Sequence, residues 1–162
     1  LVKQVAENEY VVMLLESRKS AISTIEAFFS QSVSILIQEY IEESEGKDIR
    51  VIVVGGKVIA AIERTAVEGE FRSNIYQGGE AKLVKITAAE KRLALDAAKS
   101  TNLTAIAGID IIQSSRGPLV SEVNACPSLV GVEAATGVNV AGAIIEYIEQ
   151  GSKNHKKDRV GA

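Results

Sequence analysis

A chain of 162 residues with 46% hydrophobic side chains can bury one ordinary core. Its net charge of −3, with 24% charged residues, excludes the strongly basic balance of a nucleic-acid binder. A single cysteine, Cys126, excludes an internal disulfide, and no apolar run approaches the roughly 20 residues of a bilayer span, so a soluble, reducing and cytoplasmic setting is expected. The N-terminus has no initiator Met and no signal-peptide layout, and LVKQVAEN opens directly in a strand-like run. A start inside a domain is expected.

Residues 10–15, YVVMLL, have the length and apolarity of a strand, and 17–31 follow with Ile22, Ile25, Phe28 and Phe29 at helical spacing. SILIQEYI, 34–41, reads as a buried strand ended by the acidic, glycine-bearing EESEGKD. DIRVIVV and KVIAAIER flank Gly55-Gly56, the signature of a tight hairpin whose two turn residues take positive φ. The polar stretch 65–86 is long enough to be a functional loop. Thr87 and Glu90 form a capping box ahead of a helix over 87–101. AIAGIDIIQ, 105–113, and PLVSEVNA, 118–125, are strands joined across SSRG. A last helix over 137–150 would bury Val140, Ile144, Ile145 and Ile148, and the basic tail 151–162 is expected to be disordered. Hairpin-joined strands mixed with helices, without a βαβ repeat, predict an α+β domain over 1–150 with an antiparallel sheet.

Alternation puts Val120, Glu122 and Asn124 on one face of their strand, and Gly108, Asp110 and Ile112 on one face of the preceding strand. A hairpin turning about Arg116 sets position 110 opposite 122, and Asn124 opposite Gly108, where a missing side chain leaves room. Opposed carboxylates repel, so a cation or a basic side chain is implied. Asp110, Glu122 and Asn124 offer oxygen alone, which suits Mg²⁺ or Mn²⁺ better than zinc. Spacing alone leaves two other readings open, an arginine-neutralised structural cluster and a solvated acidic face. In the structural reading, neutralising Asp110 relieves repulsion and raises stability.

The remaining candidates carry similar alternatives. Arg64 and Arg72, with Asn74, bracket the long loop and offer planar donors for phosphate or carboxylate, against a surface pairing with Glu68 or Glu70. Glu39, Tyr40 and Ile41 end a strand, Asp48 opens the glycine hairpin, and Lys3 sits in an apolar strand where it snorkels out or meets a ligand. Cys126 reads as a small buried residue, and His155 as part of a solvated basic tail.

QEYIEESEGKDIRVIVVGGKVIAAIER, then EFRSNIYQGG, then AGIDIIQSSRGPLVSEVNACPSLVGVE, in this order and spacing, resemble the ATP-grasp ligases, most of all the RimK type that adds glutamates to the C-terminus of a small-subunit ribosomal protein. The resemblance runs from Lys3 to about Glu149. It implies the C-terminal part of an ATP-grasp domain, with the earlier part and a preceding domain missing. Asp110, Glu122 and Asn124 would then hold Mg²⁺, or Mn²⁺, against ATP phosphates. Glu39, Tyr40 and Ile41 would meet adenine, Asp48 the ribose, and Lys3 the phosphates. Arg72, Ser73 and Asn74 would contact the nucleotide, with Arg64 and Arg72 facing the transferred phosphate and the substrate carboxylate.

The implied reaction turns a carboxylate into an acyl phosphate that an amine attacks, and the implied partners are ATP, glutamate and the ribosomal protein's C-terminal peptide. Nucleic acid and membrane are not implied, and a homo-oligomer is compatible with the reading. A nucleotide-binding piece without turnover, or a ligase for a different amino acid, are the alternatives. Two features depart from the family pattern: QVAENEY, where the family has a glycine-rich loop after Lys3, and Ser128, where it has glycine after the Asn-x-x-Pro turn.

Overall fold

The structure, a computed structural model, describes residues 1–5, 10–67 and 79–158, with side chains over 1–2, 12–67 and 79–151. It divides into two compact units, Leu1–Ile41 and Glu42–Ala162.

In the first unit, strands β1 (Val2–Val5), β2 (Tyr10–Met13) and β3 (Ile35–Ile37) form an antiparallel sheet in the order β2-β1-β3. Helix α1 (Arg18–Ser30) is started by Ser17, whose Oγ accepts from the Ser20 N–H at 3.1 Å while Ser20 Oγ accepts from the Ser17 N–H at 3.3 Å. The reciprocal pair satisfies two N–H groups that the helix start would leave open. The predicted buried strand 34–41 is corrected here. Only Ile35–Ile37 are extended, on a sheet edge, and Leu36 and Ile37 are exposed.

The second unit is built on five antiparallel strands in the order β6-β5-β4-β7-β8: β4 (Lys47–Val54), β5 (Lys57–Thr65), β6 (Glu80–Leu83), β7 (Ile106–Ser114) and β8 (Gly117–Asn124). β4 and β5 turn at Gly55 and Gly56, with φ of 58° and 70°, a conformation that costs glycine nothing. Alternation along β4 then sorts side chains between two layers. Ile49, Val51 and Val53 pack with Ala107, Ile109 and Ile111 and with Ala94 and Ala98 of α2 (Ala88–Ser100). Ile52 and Val54 pack on the other face with Ile62, with Val132 of α3 (Val130–Thr136) and with Val140 of α4 (Val140–Asp158). Each fully buried aliphatic side chain stabilises by roughly 1.5–3 kcal/mol relative to exposure, so both faces must be covered.

α2 starts as predicted. Thr87 N–H donates to Glu90 Oε2 at 2.6 Å and Glu90 N–H donates to Thr87 Oγ1 at 3.2 Å. Glu90 is buried and also accepts from Gln113 of β7, which ties the cap to the sheet.

Several expectations shift. The polar EAKL segment forms edge strand β6 through its pairing with β5, inside the stretch expected to be loop. Gly137 does not open the last helix. It closes α3 at φ 69°, and α4 starts at Val140, after Asn139 Oδ1 accepts from the Gly142 N–H at 2.7 Å. α4 also continues through Asp158, inside the tail expected to be disordered. Of its expected apolar side, Val140 is buried while Ile145 and Ile148 are exposed. Among the described residues, no helix is long and apolar enough to cross a membrane.

Candidate functional site

The β7–β8 hairpin turns at Ser115 and Arg116, with Ser114 opposite Gly117. Continued without interruption, that register would set Asp110 against Ser121. A β-bulge intervenes between Asp110 and Ile111, so that Ile111 pairs with Val120 while Asp110 pairs with Glu122 and Gly108 with Asn124. Asp110, Glu122 and Asn124 thus line up across two strands, at the pairs that spacing predicts. The bulge also corrects one side-chain assignment, because Val120 joins Val123 against the α2-side core instead of sharing a face with Glu122. Glu43, in a 3₁₀ turn over Glu42–Ser44, accepts from the Ser115 N–H at 2.9 Å and from Ser115 Oγ at 3.0 Å. The backbone bond from Ser115 holds the Glu43 carboxyl below the usual carboxylate range and fixes the hairpin tip.

The space beside Asn124 is filled differently from the expectation. A Cβ on Gly108 would lie 2.7 Å from Pro127 Cβ, so the missing side chain admits the proline that ends the turn. Asn124 Oδ1 accepts from the Cys126 N–H at 2.8 Å, which orients the carboxamide. Cys126 is exposed, contrary to the expectation of a small buried residue, because it lies in this turn after β8 has ended.

The positive charge implied by the opposed acids is present in the protein itself. Arg50, directly opposite Asp110 in the β4–β7 register, donates from Nε to Oδ1 and from Nη2 to Oδ2, each at 2.7 Å. Arg64, opposite Asp48 in the β4–β5 register, forks onto both oxygens of Asp48 and reaches Asp110 Oδ2 with Nη2 at 2.9 Å. Arg64 is therefore buried among Asp48 and Asp110, and the surface-arginine alternative for it is withdrawn. Burial alone pushes the Asp110 carboxyl up, and the Arg50 hydrogen bond with the Arg64 and Arg50 charges more than reverses this, holding it below the usual carboxylate range. Burial likewise works against the Arg64 charge, and Asp48 with Asp110 overcomes it and raises its pKa. Among the described residues, no buried side-chain nitrogen or oxygen lacks a partner.

Of the other predicted residues, Lys3 lies in the middle strand β1, opposite Val12 and Leu36. Glu39 is exposed, Tyr40 half-buried and Ile41 buried, in the irregular stretch after β3. Arg72, Ser73 and Asn74 lie outside the described residues. Arg50 is the member that sequence reasoning missed. Its signal was a lone cation in the apolar run DIRVIVV, two residues from Asp48 and hence on the same face.

The model of the RimK-like ATP-grasp domain matches residues 1–148. The chain belongs to this family. A probable alpha-L-glutamate ligase of Shewanella halifaxensis is 55% identical over 139 residues, which is 86% of this chain and 30% of that protein. One of Marinobacter nauticus is 55% identical over 145 residues, 90% of this chain and 47% of that protein. The chain thus spans less than half the length of these two relatives. Among solved structures, the ATP-grasp ligase PsnB, complexed with a phosphomimetic variant of its minimal precursor, Mg and ADP, superposes with a TM-score of 0.65 at 25% identity, covering 92% of this chain and 45% of PsnB. The antiparallel sheet with its packed helices is therefore the α+β fold of an ATP-grasp ligase.

Against that family background, the β7–β8 face fits a hard divalent cation in the kind of donor it offers. Asp110, Glu122 and Asn124 present two carboxylates and one oriented carboxamide, all oxygen. Among the described residues, no group of three His, Cys, Asp or Glu side chains is placed to hold a metal.

Proposed function

We propose that the chain is the nucleotide- and metal-holding part of an ATP-dependent ligase that adds glutamate to the C-terminus of a small-subunit ribosomal protein in the cytoplasm. One observation carries this reading: the bulged register that lines up Asp110, Glu122 and Asn124 beside a buried arginine pair, in a chain of the RimK-like family. The names of the relatives, probable alpha-L-glutamate ligases, support the amino acid, and the PsnB complex supports ATP chemistry on a peptide.

In this reading Asp110, Glu122 and Asn124 hold Mg²⁺, or Mn²⁺ in its place, which when bound offsets negative charge on phosphate oxygens. Glu39, Tyr40 and Ile41 meet the adenine and Asp48 the ribose. Lys3 reaches the phosphates, and Arg72, Ser73 and Asn74 contact the nucleotide. Arg64 and Arg72 face the transferred phosphate and the substrate carboxylate, Arg64 doing so while fixed by Asp48 and Asp110. The acceptor carboxylate takes the terminal phosphoryl group of ATP and releases ADP. The glutamate amine then attacks the acyl phosphate and expels phosphate. Neither step needs a protein nucleophile, so positioning and charge carry the catalysis.

The test is ADP release that requires glutamate, a peptide with the ribosomal protein's C-terminal sequence, and Mg²⁺. Loss of turnover in Asp110→Ala and in Glu122→Ala supports the reading, and undiminished turnover in both overturns it. A second reading, nucleotide binding without turnover, is favoured by the chain's spanning 30% and 47% of its two relatives. Mg-ATP binding with no ADP release under the same conditions would select it.

A further inference from the structure

Arg50 has no place in the chemistry above, yet it makes the most complete contact with Asp110. A carboxylate oxygen has two acceptor positions. Asp110 Oδ2 uses both, for Arg50 Nη2 at 2.7 Å and Arg64 Nη2 at 2.9 Å. Oδ1 uses one, for Arg50 Nε at 2.7 Å. We propose that Arg50 is the positioning residue of the site, a fork that fixes the Asp110 carboxylate so that Oδ1 alone stays open to a divalent cation.

Two further features point the same way. A Cβ on Gly108, on the same strand face two residues from Asp110, would lie 3.9 Å from Arg50 Nε and 2.7 Å from Pro127 Cβ, so the strand beside the fork has no side chain to crowd it. The charges also match. The guanidiniums of Arg50 and Arg64 are offset by the carboxylates of Asp48 and Asp110, so the fork is held in a charge-balanced cluster. A lysine in place of Arg50 would keep the charge but lose the planar two-donor geometry that orients the carboxylate.

This inference rests on the metal assignment of the ligase reading, and its test separates the two. Mn²⁺ binding is followed by electron paramagnetic resonance with ADP present, in the unaltered protein and in Arg50→Lys, with thermal melting to confirm the folded state and metal-free ADP affinity as the control. The expected result is Mn²⁺ affinity about 10–100-fold weaker in Arg50→Lys, as for loss of a group that orients a metal ligand, with metal-free ADP affinity unchanged. Equal or tighter Mn²⁺ binding by folded Arg50→Lys overturns this inference alone, whereas no Mn²⁺ binding by the unaltered protein overturns the metal assignment as well. A second measurement needs no variant. In ¹⁵N-labelled protein the Arg50 Nε–H resonance should stay protected from solvent exchange as Mg²⁺ and ADP are added, and loss of that protection shows that the cation displaces the arginine and overturns the proposal.

Discussion

Arg50 and Asp110 face each other across the β4–β7 register and meet through two parallel hydrogen bonds of 2.7 Å, with only 13% and 7% of their side chains exposed. An acidic pair that would otherwise repel is thereby built into a buried ladder of alternating charge. Asp48, Arg64, Asp110 and Arg50 are linked in sequence, and Glu122 stands beside Asp110 on the next strand.

Removing the carboxylate should therefore destabilise the fold. Asp110→Asn leaves two largely buried guanidiniums short of a counter-charge, and breaking a buried pair on one side costs about 3–5 kcal/mol. The asparagine carbonyl still accepts a hydrogen bond, so a loss of about 3 kcal/mol in urea unfolding is expected. A rise in stability would restore the view that Asp110 is a centre of repulsion.

Acid should act through the same group. The folded Asp110 carboxyl sits below its unfolded value of about 3.9, so below neutrality the unfolded chain takes up its proton first. Its contribution is then complete above about pH 5 and is lost as pH falls through the folded pKa. Unfolding free energy measured from pH 7 to 2.5 should fall on acidification, and less steeply in Asp110→Asn. Parallel slopes would show that Asp110 is not among the groups responsible.

Gly108→Ala tests the turn that carries Asn124. Its Cβ would sit 2.7 Å from Pro127 Cβ, so the turn must move. Overpacking of this kind costs roughly 1–3 kcal/mol, and calorimetry with Mg-ADP should show weakened Mg²⁺-dependent binding. Unaltered stability and binding would mean that Pro127 can shift without moving Asn124.

Thr87→Ala removes the side chain that accepts from the Glu90 N–H and donates to Glu90 Oε2. A loss of about 1 kcal/mol in chemical denaturation is expected, with Mg-ADP affinity unchanged. A change in affinity would connect α2 to the site.

The parts of the fold legible in the sequence are those whose signal is local. Gly55-Gly56 demands its hairpin through positive φ, and Thr87 with Glu90 marks a helix start within four residues. The pairing of Asp110 with Glu122 was also legible, although its cause was not. The two-residue turn would miss it by one position, and the bulge that restores it has no sequence mark of its own. EAKL becomes a strand only through β5, and Leu36 and Ile37 have the composition of a buried strand while lying on an exposed edge. Arg50 was overlooked for a related reason. A lone arginine in an apolar run gains meaning only when the register sets Asp110 opposite it.

Calorimetric titration of the protein with Mg-ATP tests most directly whether the Asp110–Glu122–Asn124 face holds a divalent cation with ATP. The expected result is binding that requires Mg²⁺ and that is lost in the Asp110→Ala/Glu122→Ala double variant, with circular dichroism confirming that the variant is folded. Undiminished Mg-ATP affinity in the folded double variant, or no binding by the unaltered protein, would contradict it.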